Sequence, residues 1–442
     1  MSDLRKIPEL ASLHASNGLV RLPPGIDVPL SQRVRQLIDT AEFRRLAQIS
    51  QLGLVSLVYP AANHTRQEHS LGVYRVAIEF LDRLASDERF ASVITPADAE
   101  LFLVAALLHD IGHWPFCHPI EDIRLQRVPD HELLANSFLL EGEIADVLRE
   151  EWGINPRDVA ALLNSKPRER KTRILHSLLS GPIDVDKVDY LMRDSLHAGV
   201  PYGRNFDQAR LVHSLCLNEA GDGLAITDKG KTAAEMMVFA RYVMFSEVYW
   251  HHAVRSATAM LQRAFYLLHH ALDMDGLFRM TERPFIDTLF IAAGDGPARD
   301  LLDGLFGSSR RLYKRLAQYS LFEEPALYAR LTRRPYTWLV HCAEQFASVA
   351  STALSRVVAP HEILFDAPPV KLEVEFNIDV YYAKEQTYRR LGDVSPVVRT
   401  LAREQFDDYV KRVRIFVHPR LADDLRMHNS HTLVAEAVDR MD

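Results

Sequence analysis

Histidines and carboxylates of the kind that bind divalent metals occur at separate places in the chain. His69 lies in the segment HTRQEHS, His109 and Asp110 end the apolar run ELFLVAALLHD, and Asp186 lies in GPIDVDKVDYLMRD. Two imidazoles and two carboxylates make a mixed nitrogen and oxygen site that suits one divalent first-row metal, Mn, Fe, Co, Ni or Zn. Such a metal would polarise a phosphoryl oxygen and lower the pKa of water.

Groups that could move protons and neutralise phosphate are close to these ligands in sequence. The loop HWPFCH supplies His113 and His118, and His131 follows. Imidazole is suited to proton transfer near pH 7, and the cations Arg66 and Lys187 would neutralise phosphate oxygens. Metal, proton carriers and cations together indicate phosphoester hydrolysis.

Each segment alone also has a simpler interpretation. A His-Asp pair arises by chance, and Asp110 could be an exposed residue at a helix end. In the segment GPIDVDKVDYLMRD the polar residues fall on one helical arc. That arc is either a solvated face or the lining of a cleft for a charged, ring-bearing ligand. The members of that arc are Asp186, Lys187, Asp189, Tyr190, Arg193 and Asp194.

The remaining histidines and basic runs have plain interpretations as well. His64, His251 and His252 are interpreted as ordinary helix residues. The run KPRERKTR at 166–173 is interpreted as a solvated turn rather than a nucleic-acid patch. A second basic group could bind an effector phosphate if it lines an interface, and it comprises Arg310, Arg311, Lys314 and Arg315.

Helical periodicity covers most of the chain, so the predicted fold class is mainly α. Helices are expected over 31–48 and 67–85, and over 97–111 behind a Thr95-Pro96-Ala97-Asp98 start, with an end at Gly112. One long helical stretch is expected over 232–273, and further helices over 281–356.

The pattern changes near the C-terminus. Residues 372–380 alternate between apolar and polar, RVRIFVHP at 412–419 indicates a second strand, and 395–410 is helical in pattern. Prolines at 360, 368 and 369 mark a boundary. We therefore expect a helical core over 1–365 and a small α+β lobe over 366–442.

Composition limits the cellular setting. The net charge of −7 gives no overall attraction to nucleic acid or to an anionic membrane. Three dispersed cysteines fit a reducing compartment. The N-terminus lacks a secretory pattern, and no apolar run is long enough for a membrane span, so a cytoplasmic protein is expected.

The motifs HTRQEHSLGV, LLHDIGHWPFCH, DHE and DVDKVDYLMRD together resemble the successive motifs of HD-domain deoxynucleoside triphosphate triphosphohydrolases. The resemblance runs from about residue 31 to 260, with order and spacing kept. It implies an HD-domain helical core and hydrolysis of dNTPs at the α-phosphorus, which gives a deoxynucleoside and inorganic triphosphate.

The resemblance also implies a role for each matching residue. The metal ligands would be His69, His109, Asp110 and Asp186. The phosphates would be surrounded by Arg66, His113, His118, His131 and Lys187, with His118 as general acid assisted by His131. Gln51 and Asp194 match positions that hold the sugar 3′-hydroxyl, and Tyr190 matches one near sugar and phosphates. Arg241 matches a phosphate-binding position, and Tyr249 one that crowds the 2′ position.

Partners follow from the same resemblance. It implies a homodimer or homotetramer, nucleotide activators at subunit interfaces, and an additional Mg²⁺ carried by the nucleotide. The segment ASNGLVRLPPG matches the family's N-terminal hairpin only loosely. Two alternatives stay open: an HD phosphohydrolase for nucleoside monophosphates or nucleic-acid ends, and a non-catalytic nucleic-acid-binding HD protein.

Overall fold

The computed structural model describes residues 3–14, 18–368, 377–401 and 410–441. Helices dominate this part of the chain, which confirms the mainly α fold class. The first eleven are α1 (Pro8–Ala11), α2 (Gln32–Ile38), α3 (Ala41–Arg45), α4 (Arg66–Leu84), α5 (Glu88–Ala91), α6 (Pro96–Leu108), α7 (Cys117–Asp122), α8 (His131–Leu139), α9 (Glu143–Glu150), α10 (Pro156–Asn164) and α11 (Arg170–Ser180).

The helices continue through the second half. They are α12 (Val185–His197), α13 (Gln208–His213), α14 (Lys231–Met244), α15 (His252–Leu268), α16 (Met274–Leu277), α17 (Glu282–Ala293), α18 (Pro297–Phe306), α19 (Pro325–Leu331), α20 (Tyr336–Leu354), α21 (Leu391–Val394) and α22 (Pro396–Arg399), followed by Pro419–Met427 and Ser430–Asp439. Among the described residues, none of the helices is both long and apolar enough to cross a bilayer.

Nine strands form three small sheets within the described chain. The strands are β1 (Leu19–Leu22), β2 (Ile26–Pro29), β3 (Leu215–Leu217), β4 (Leu224–Thr227), β5 (Lys314–Tyr319), β6 (Ile363–Asp366), β7 (Asp379–Tyr382), β8 (Thr387–Arg390) and β9 (Val413–Val417). The sheet orders are β1-β2, β3-β4-β7-β8 and β5-β9-β6, and every pair is antiparallel except β4 with β7.

Three helices bring the predicted site together. The helix α4 packs against both α6 and α12. Its first residues follow Thr65, whose hydroxyl accepts a hydrogen bond from the Glu68 N–H. The helix α6 begins with a capping box of Thr95 and Asp98, which confirms the predicted start. Apolar side chains of all three helices belong to one buried cluster, so each helix has little freedom to move relative to the others.

Three predicted helices differ from those observed. The stretch 31–48 is two short helices and a 3-10 turn, because Thr40 accepts from the Phe43 N–H and starts a new helix. The stretch 232–273 is broken by a π-helical turn, Phe245–Tyr249, and by the His251 cap of α15. The helix α6 ends at Leu108 rather than at Gly112, because the chain tightens: the Ile111 N–H donates to the Leu108 carbonyl.

The C-terminal region also differs in detail. Strand β9 confirms the strand predicted at 412–419, and β5 lies in a region predicted as helical. Of the strand predicted at 372–380, residues 372–376 lie outside the described residues, and β7 begins at Asp379. Of the helix predicted at 395–410, Pro396–Arg399 is helical, and 402–409 lie outside the described residues.

The expected boundary at residue 365 falls inside β6. Strand β9 lies between β5 and β6, while β7 pairs with β4 near the helical core. Segments from both sides of residue 365 therefore share two sheets. Proline positions alone do not reveal which strands distant in sequence pair with each other.

Candidate active site

The four residues expected to bind metal converge on one point. The Nε2 atom of His69 lies 3.1 Å from Asp186 Oδ1, 3.2 Å from His109 Nε2 and 4.0 Å from Asp110 Oδ2. His109 Nε2 lies 3.4 Å from Asp110 Oδ1 and 3.8 Å from Asp186 Oδ1. His69, His109 and Asp186 meet the geometry of a site that could hold one ion.

Both imidazoles present the correct nitrogen to this point. His69 Nδ1 is hydrogen-bonded to Asp189 Oδ2 at 2.9 Å, and His109 Nδ1 to the Ala106 carbonyl at 2.9 Å. Each Nε2 is thereby left for an ion, the arrangement usual for histidine ligands. Burial alone would lower the pKa of His69, but Asp186 and Asp189 raise it to about 10. The carboxylates thus favour positive charge at this position, and the donor set fits a divalent cation.

The orienting carboxylate Asp189 is itself held tightly. Arg193 donates from Nε to Asp189 Oδ2 at 2.8 Å and from Nη2 to Oδ1 at 2.7 Å. Arg193 also pairs with Glu68 at 2.8 Å. Gly72 of α4 faces this group, and a Cβ there would lie 2.0 Å from Asp189 Oδ1. Glycine is therefore required for α12 to approach α4 closely enough to orient His69.

The three further histidines form a second group beside the first. Ring centroids lie 4.0 Å apart for His113 and His131, 5.1 Å for His113 and His118, and 5.5 Å for His118 and His131. His113 Nδ1 is 3.1 Å from Asp110 Oδ1, so the two groups adjoin. The side chain of His118 is 63% exposed, and this imidazole can exchange protons with solvent.

Glu121 orients two of these imidazoles. Its Oε1 accepts from His131 Nδ1 at 2.8 Å, and its Oε2 lies 3.7 Å from His118 Nδ1. Burial alone would raise the pKa of Glu121, but the neighbouring imidazoles of His118 and His131 hold it well below its usual range. Burial and the neighbouring Arg66 keep the pKa of His113 well below its usual value, so His113 is neutral near pH 7.

The loop that carries His118 is strained. Phe116, a non-glycine residue, has φ of 56° in the left-handed region. Its ring is buried against Phe285 and Phe306, with centroids 6.1 and 5.5 Å away. Packing thus holds the turn that starts α7 and directs His118 toward the site, and strain of this kind concentrates at functional sites.

A third group surrounds Asp194. Its Oδ1 is 2.9 Å from His64 Nε2, and its Oδ2 accepts from the Tyr249 hydroxyl at 2.6 Å. The Gln51 N–H donates to the His64 carbonyl at 2.9 Å. The buried Gln51 Oε1 has no hydrogen-bond partner among the described residues, which leaves an acceptor at this position. We name Gln51, Asp194 and Tyr249 the sugar clamp, after the role that the sequence resemblance implies for them.

The expected phosphate-binding cations lie nearby but have protein partners. Arg66 Nη1 donates to Asp110 Oδ2 at 2.7 Å, and Lys187 pairs with Asp184, the cap of α12. Burial raises the pKa of Tyr190 to about 12, and the Arg241 guanidinium is among the charges that oppose the rise. Arg241 and Tyr190 are therefore close, on the side of α12 that carries Asp186.

The structure brings the predicted residues together and corrects three simple interpretations. Asp110 is 4% exposed, so it is not a solvated helix end. Asp189, Arg193 and Asp194 are buried, so their helical arc is not a solvated face. His64 is not an ordinary helix residue, because it is buried against Asp194.

The sequence did not predict the orienting roles of Glu121, Asp189 and His64. Asp189 follows Asp186 by three residues, a spacing that places both on one helix face and could have suggested its role. Glu121 likewise follows His118 by three residues, whereas His64 carries no such signal, because its partner Asp194 is distant in sequence.

A separate basic pocket of about 640 Å³ lies near the π-helical turn. None of its described lining residues is acidic. The lining includes His252, Arg310, Arg311, Lys314, Arg315 and Arg426. Tyr249 of the sugar clamp and His252 of this pocket are three residues apart, so one short segment joins the two sites.

Comparisons with known proteins identify the regions to which the site belongs. Residues 66–196 match the HD domain, and residues 206–439 match the HD associated region. An uncharacterized protein of Methanocaldococcus jannaschii is 30% identical over 424 residues, which cover 94% of this chain and 82% of that protein.

Two further relatives are informative. The deoxynucleoside triphosphate triphosphohydrolase SAMHD1 of Gallus gallus is 29% identical over 333 residues, which cover 64% of this chain and 53% of the chicken protein. The chain therefore spans about half of that enzyme. The crystal structure of a hypothetical protein from Aquifex aeolicus has a TM-score of 0.69 and 27% identity, and the match covers 92% of this chain and 98% of that one.

Proposed function

The chain belongs to the HD-domain phosphohydrolase family that includes the deoxynucleoside triphosphate triphosphohydrolases, and on this premise we propose that it hydrolyses dNTPs to deoxynucleosides and inorganic triphosphate. The observation that carries the proposal is the juxtaposition of three groups: a ligand set for one metal, an oriented set of imidazoles, and the sugar clamp. A general phosphomonoesterase would need the first two groups but not the third.

The metal would be held by His69, His109, Asp110 and Asp186. A divalent transition metal there supplies Lewis-acid chemistry, which polarises a phosphoryl oxygen and lowers the pKa of water. A mixed nitrogen and oxygen donor set binds several divalent first-row metals, and we choose Mn²⁺ for the assays.

The chain's own residues supply binding and proton transfer. His118 protonates the leaving 5′-oxygen, and Glu121 and His131 hold it in place. Neutral His113 can donate or accept a hydrogen bond without adding charge. Asp194, fixed by Tyr249 and His64, accepts a hydrogen bond from the sugar 3′-hydroxyl, with Gln51 beside it. Arg66, Lys187 and Arg241 would neutralise the phosphates, with Tyr190 beside them.

A substrate panel tests the proposal. Purified protein with Mn²⁺, and Mg²⁺ for the nucleotide, is offered the four dNTPs singly and mixed, the four NTPs, and dNMPs, with products separated by chromatography. We expect deoxynucleoside from dNTPs, little turnover of NTPs, and no activity in Asp186→Ala. Equal turnover of dNTPs and NTPs would contradict the sugar clamp, and turnover of dNMPs alone would favour the phosphomonoester alternative.

We also propose that the basic pocket takes the phosphates of a nucleotide activator. Five cationic side chains and no carboxylate line the described part of the pocket; Arg311 pairs with Asp300 and Arg426 with Asp423, both outside that lining. Binding there could act on Tyr249 through His251 and His252. Activity only in dNTP mixtures would support an activator site. Assembly into a homodimer or homotetramer, with the activator at the interface, stays a prediction, as does a cytoplasmic location.

A nucleic-acid-binding function is less well supported. In the run 166–173, Lys171 pairs with Asp98 at 3.0 Å, Arg170 donates to the Gly221 carbonyl at 2.8 Å, and Arg173 pairs with Asp222 at 3.1 Å. These cations are engaged within the protein, and all three lie in the first turn of α11 rather than in a solvated turn. Metal-independent binding of single-stranded DNA or RNA, without nucleotide turnover, would reverse this preference.

A further inference from the structure

A cysteine thiol lies next to the histidines that are assigned to proton transfer. Cys117 directly precedes His118 and begins α7, and it is buried. One donor atom from each of Cys117, His113, His118 and His131 lies within 4.8 Å of the other three. Three imidazoles and one thiol therefore already surround a common point, which lies beside the metal ligands of the HD motif.

This donor set differs chemically from that of the catalytic metal. The catalytic set combines imidazole nitrogen with carboxylate oxygen, whereas the second set has three nitrogens and one sulfur. Three histidines and one cysteine suit tetrahedral zinc and similar thiophilic ions, with distances of about 2.3 Å to sulfur and about 2.0 Å to nitrogen. Donor atoms within 4.8 Å of one another reach such distances with small side-chain adjustments.

The surroundings orient the rings for such an ion. His113 Nδ1 contacts Asp110, His131 Nδ1 is hydrogen-bonded to Glu121, and His118 Nδ1 lies 3.7 Å from Glu121. One nitrogen of each ring is among the donor atoms that surround the common point. A carboxylate behind a histidine ligand is the usual outer partner in zinc sites. The exposed side of His118 gives an ion access from solvent.

We propose that Cys117, His113, His118 and His131 form a second metal site that takes zinc or a similar thiophilic ion, and that its occupation inhibits the enzyme. Thiol ligands bind an ion as thiolates, so the Cys117 proton passes to solvent when the ion binds. The bound ion engages the lone pairs of all three imidazoles. His118 can then no longer protonate a leaving group. The inhibition rests on the proposed function, whereas the binding does not.

Cobalt binding tests the site without any substrate. The Asp186→Ala protein, which lacks one catalytic ligand, is titrated with Co²⁺ and followed by near-ultraviolet absorption. We expect a thiolate-to-cobalt charge-transfer band that disappears when Cys117→Ser is added and persists when the control Cys216→Ser is added. Cys216 is the matched control because it is a partly buried cysteine of strand β3 and is not part of the cluster. Absence of the band from the Asp186→Ala protein would overturn the proposal.

Zinc inhibition tests the consequence in protein that keeps Asp186 and is loaded with Mn²⁺. Each variant is compared with itself without zinc, so altered basal activity does not affect the result. We expect Cys117→Ser to raise the half-inhibitory zinc concentration by at least about tenfold, since even loss of an outer partner has that effect. Cys216→Ser should match the unsubstituted protein. Equal inhibition of all three would refute an inhibitory role. A cobalt band in protein that turns over no nucleotide would refute the proposed function and leave the metal site standing.

Discussion

Asp189→Asn isolates the contribution of ligand orientation to metal binding. Asp189 accepts from His69 Nδ1 at 2.9 Å and from two Arg193 nitrogens at 2.8 and 2.7 Å. The substitution keeps the size of the side chain but replaces one acceptor oxygen by a donor NH₂ group. If that NH₂ faces Arg193, two donors oppose each other. If it faces His69, the imidazole must place its proton on Nε2, the atom that faces the metal.

The magnitude follows from the bond that is lost. A hydrogen bond to a charged partner contributes about 1.5–3 kcal/mol, which corresponds to about 10–100-fold in affinity. Water cannot replace the lost acceptor readily, because a Cβ at Gly72 would lie only 2.0 Å from Asp189 Oδ1. We therefore expect Mn²⁺ affinity to fall by about 10–100-fold, with part of the activity restored at saturating Mn²⁺.

The assay is calorimetric titration of metal-free protein with Mn²⁺, paired with the metal dependence of turnover. Asp82→Asn is the control, because Asp82 lies on the same helix as His69 but in an exposed pair with Arg5 at the other end. Affinity in Asp189→Asn within about twofold of the unsubstituted protein would refute the orienting role, since outer partners normally contribute at least tenfold.

Three further predictions address selectivity, pH and activation. Tyr249→Ala should reduce the ratio of dNTP to NTP turnover by about tenfold or more, because bulk beside the 2′ position is lost; an unchanged ratio would remove Tyr249 from the sugar clamp. Glu121→Gln should lower the free energy of unfolding at pH 7 by about 1–3 kcal/mol. Since folding lowers the pKa of Glu121, this stabilisation is present above its unfolded pKa of about 4.3 and should fade as pH falls below it, so a constant difference in urea titrations from neutral to acidic pH would contradict the assignment. Arg310→Glu combined with Lys314→Glu should abolish activation by nucleotide mixtures without loss of bound Mn²⁺, whereas the exposed control Arg283→Glu should not; activation that persists in the double variant would exclude this pocket.

Local sequence patterns predicted the elements that carry the metal ligands. The Thr95 capping box fixed the start of α6, and helical spacing placed Asp186 and Asp194 on one face of α12. These features depend on residues within a few positions of one another, which is the range that periodicity and capping report.

Features that depend on distant contacts were not predictable from those patterns. The partnership of Glu121 with His131, and of His64 with Asp194, joins segments that tertiary packing brings together. The π-helical turn before Tyr249 also has no simple signal in the apolar residues around it, which fit a continuous helix. Likewise β5 became a strand because β9 pairs with it, although its own segment was predicted as helical.

The central claim is attack of water at the α-phosphorus of a dNTP with the 5′-oxygen of the deoxynucleoside as leaving group. The most direct measurement is ³¹P NMR and mass spectrometry of the products formed from dNTPs in ¹⁸O-labelled water with Mn²⁺. The account predicts inorganic triphosphate that carries the label and a deoxynucleoside that does not. Pyrophosphate with a labelled nucleoside monophosphate, or label in the deoxynucleoside, would contradict it.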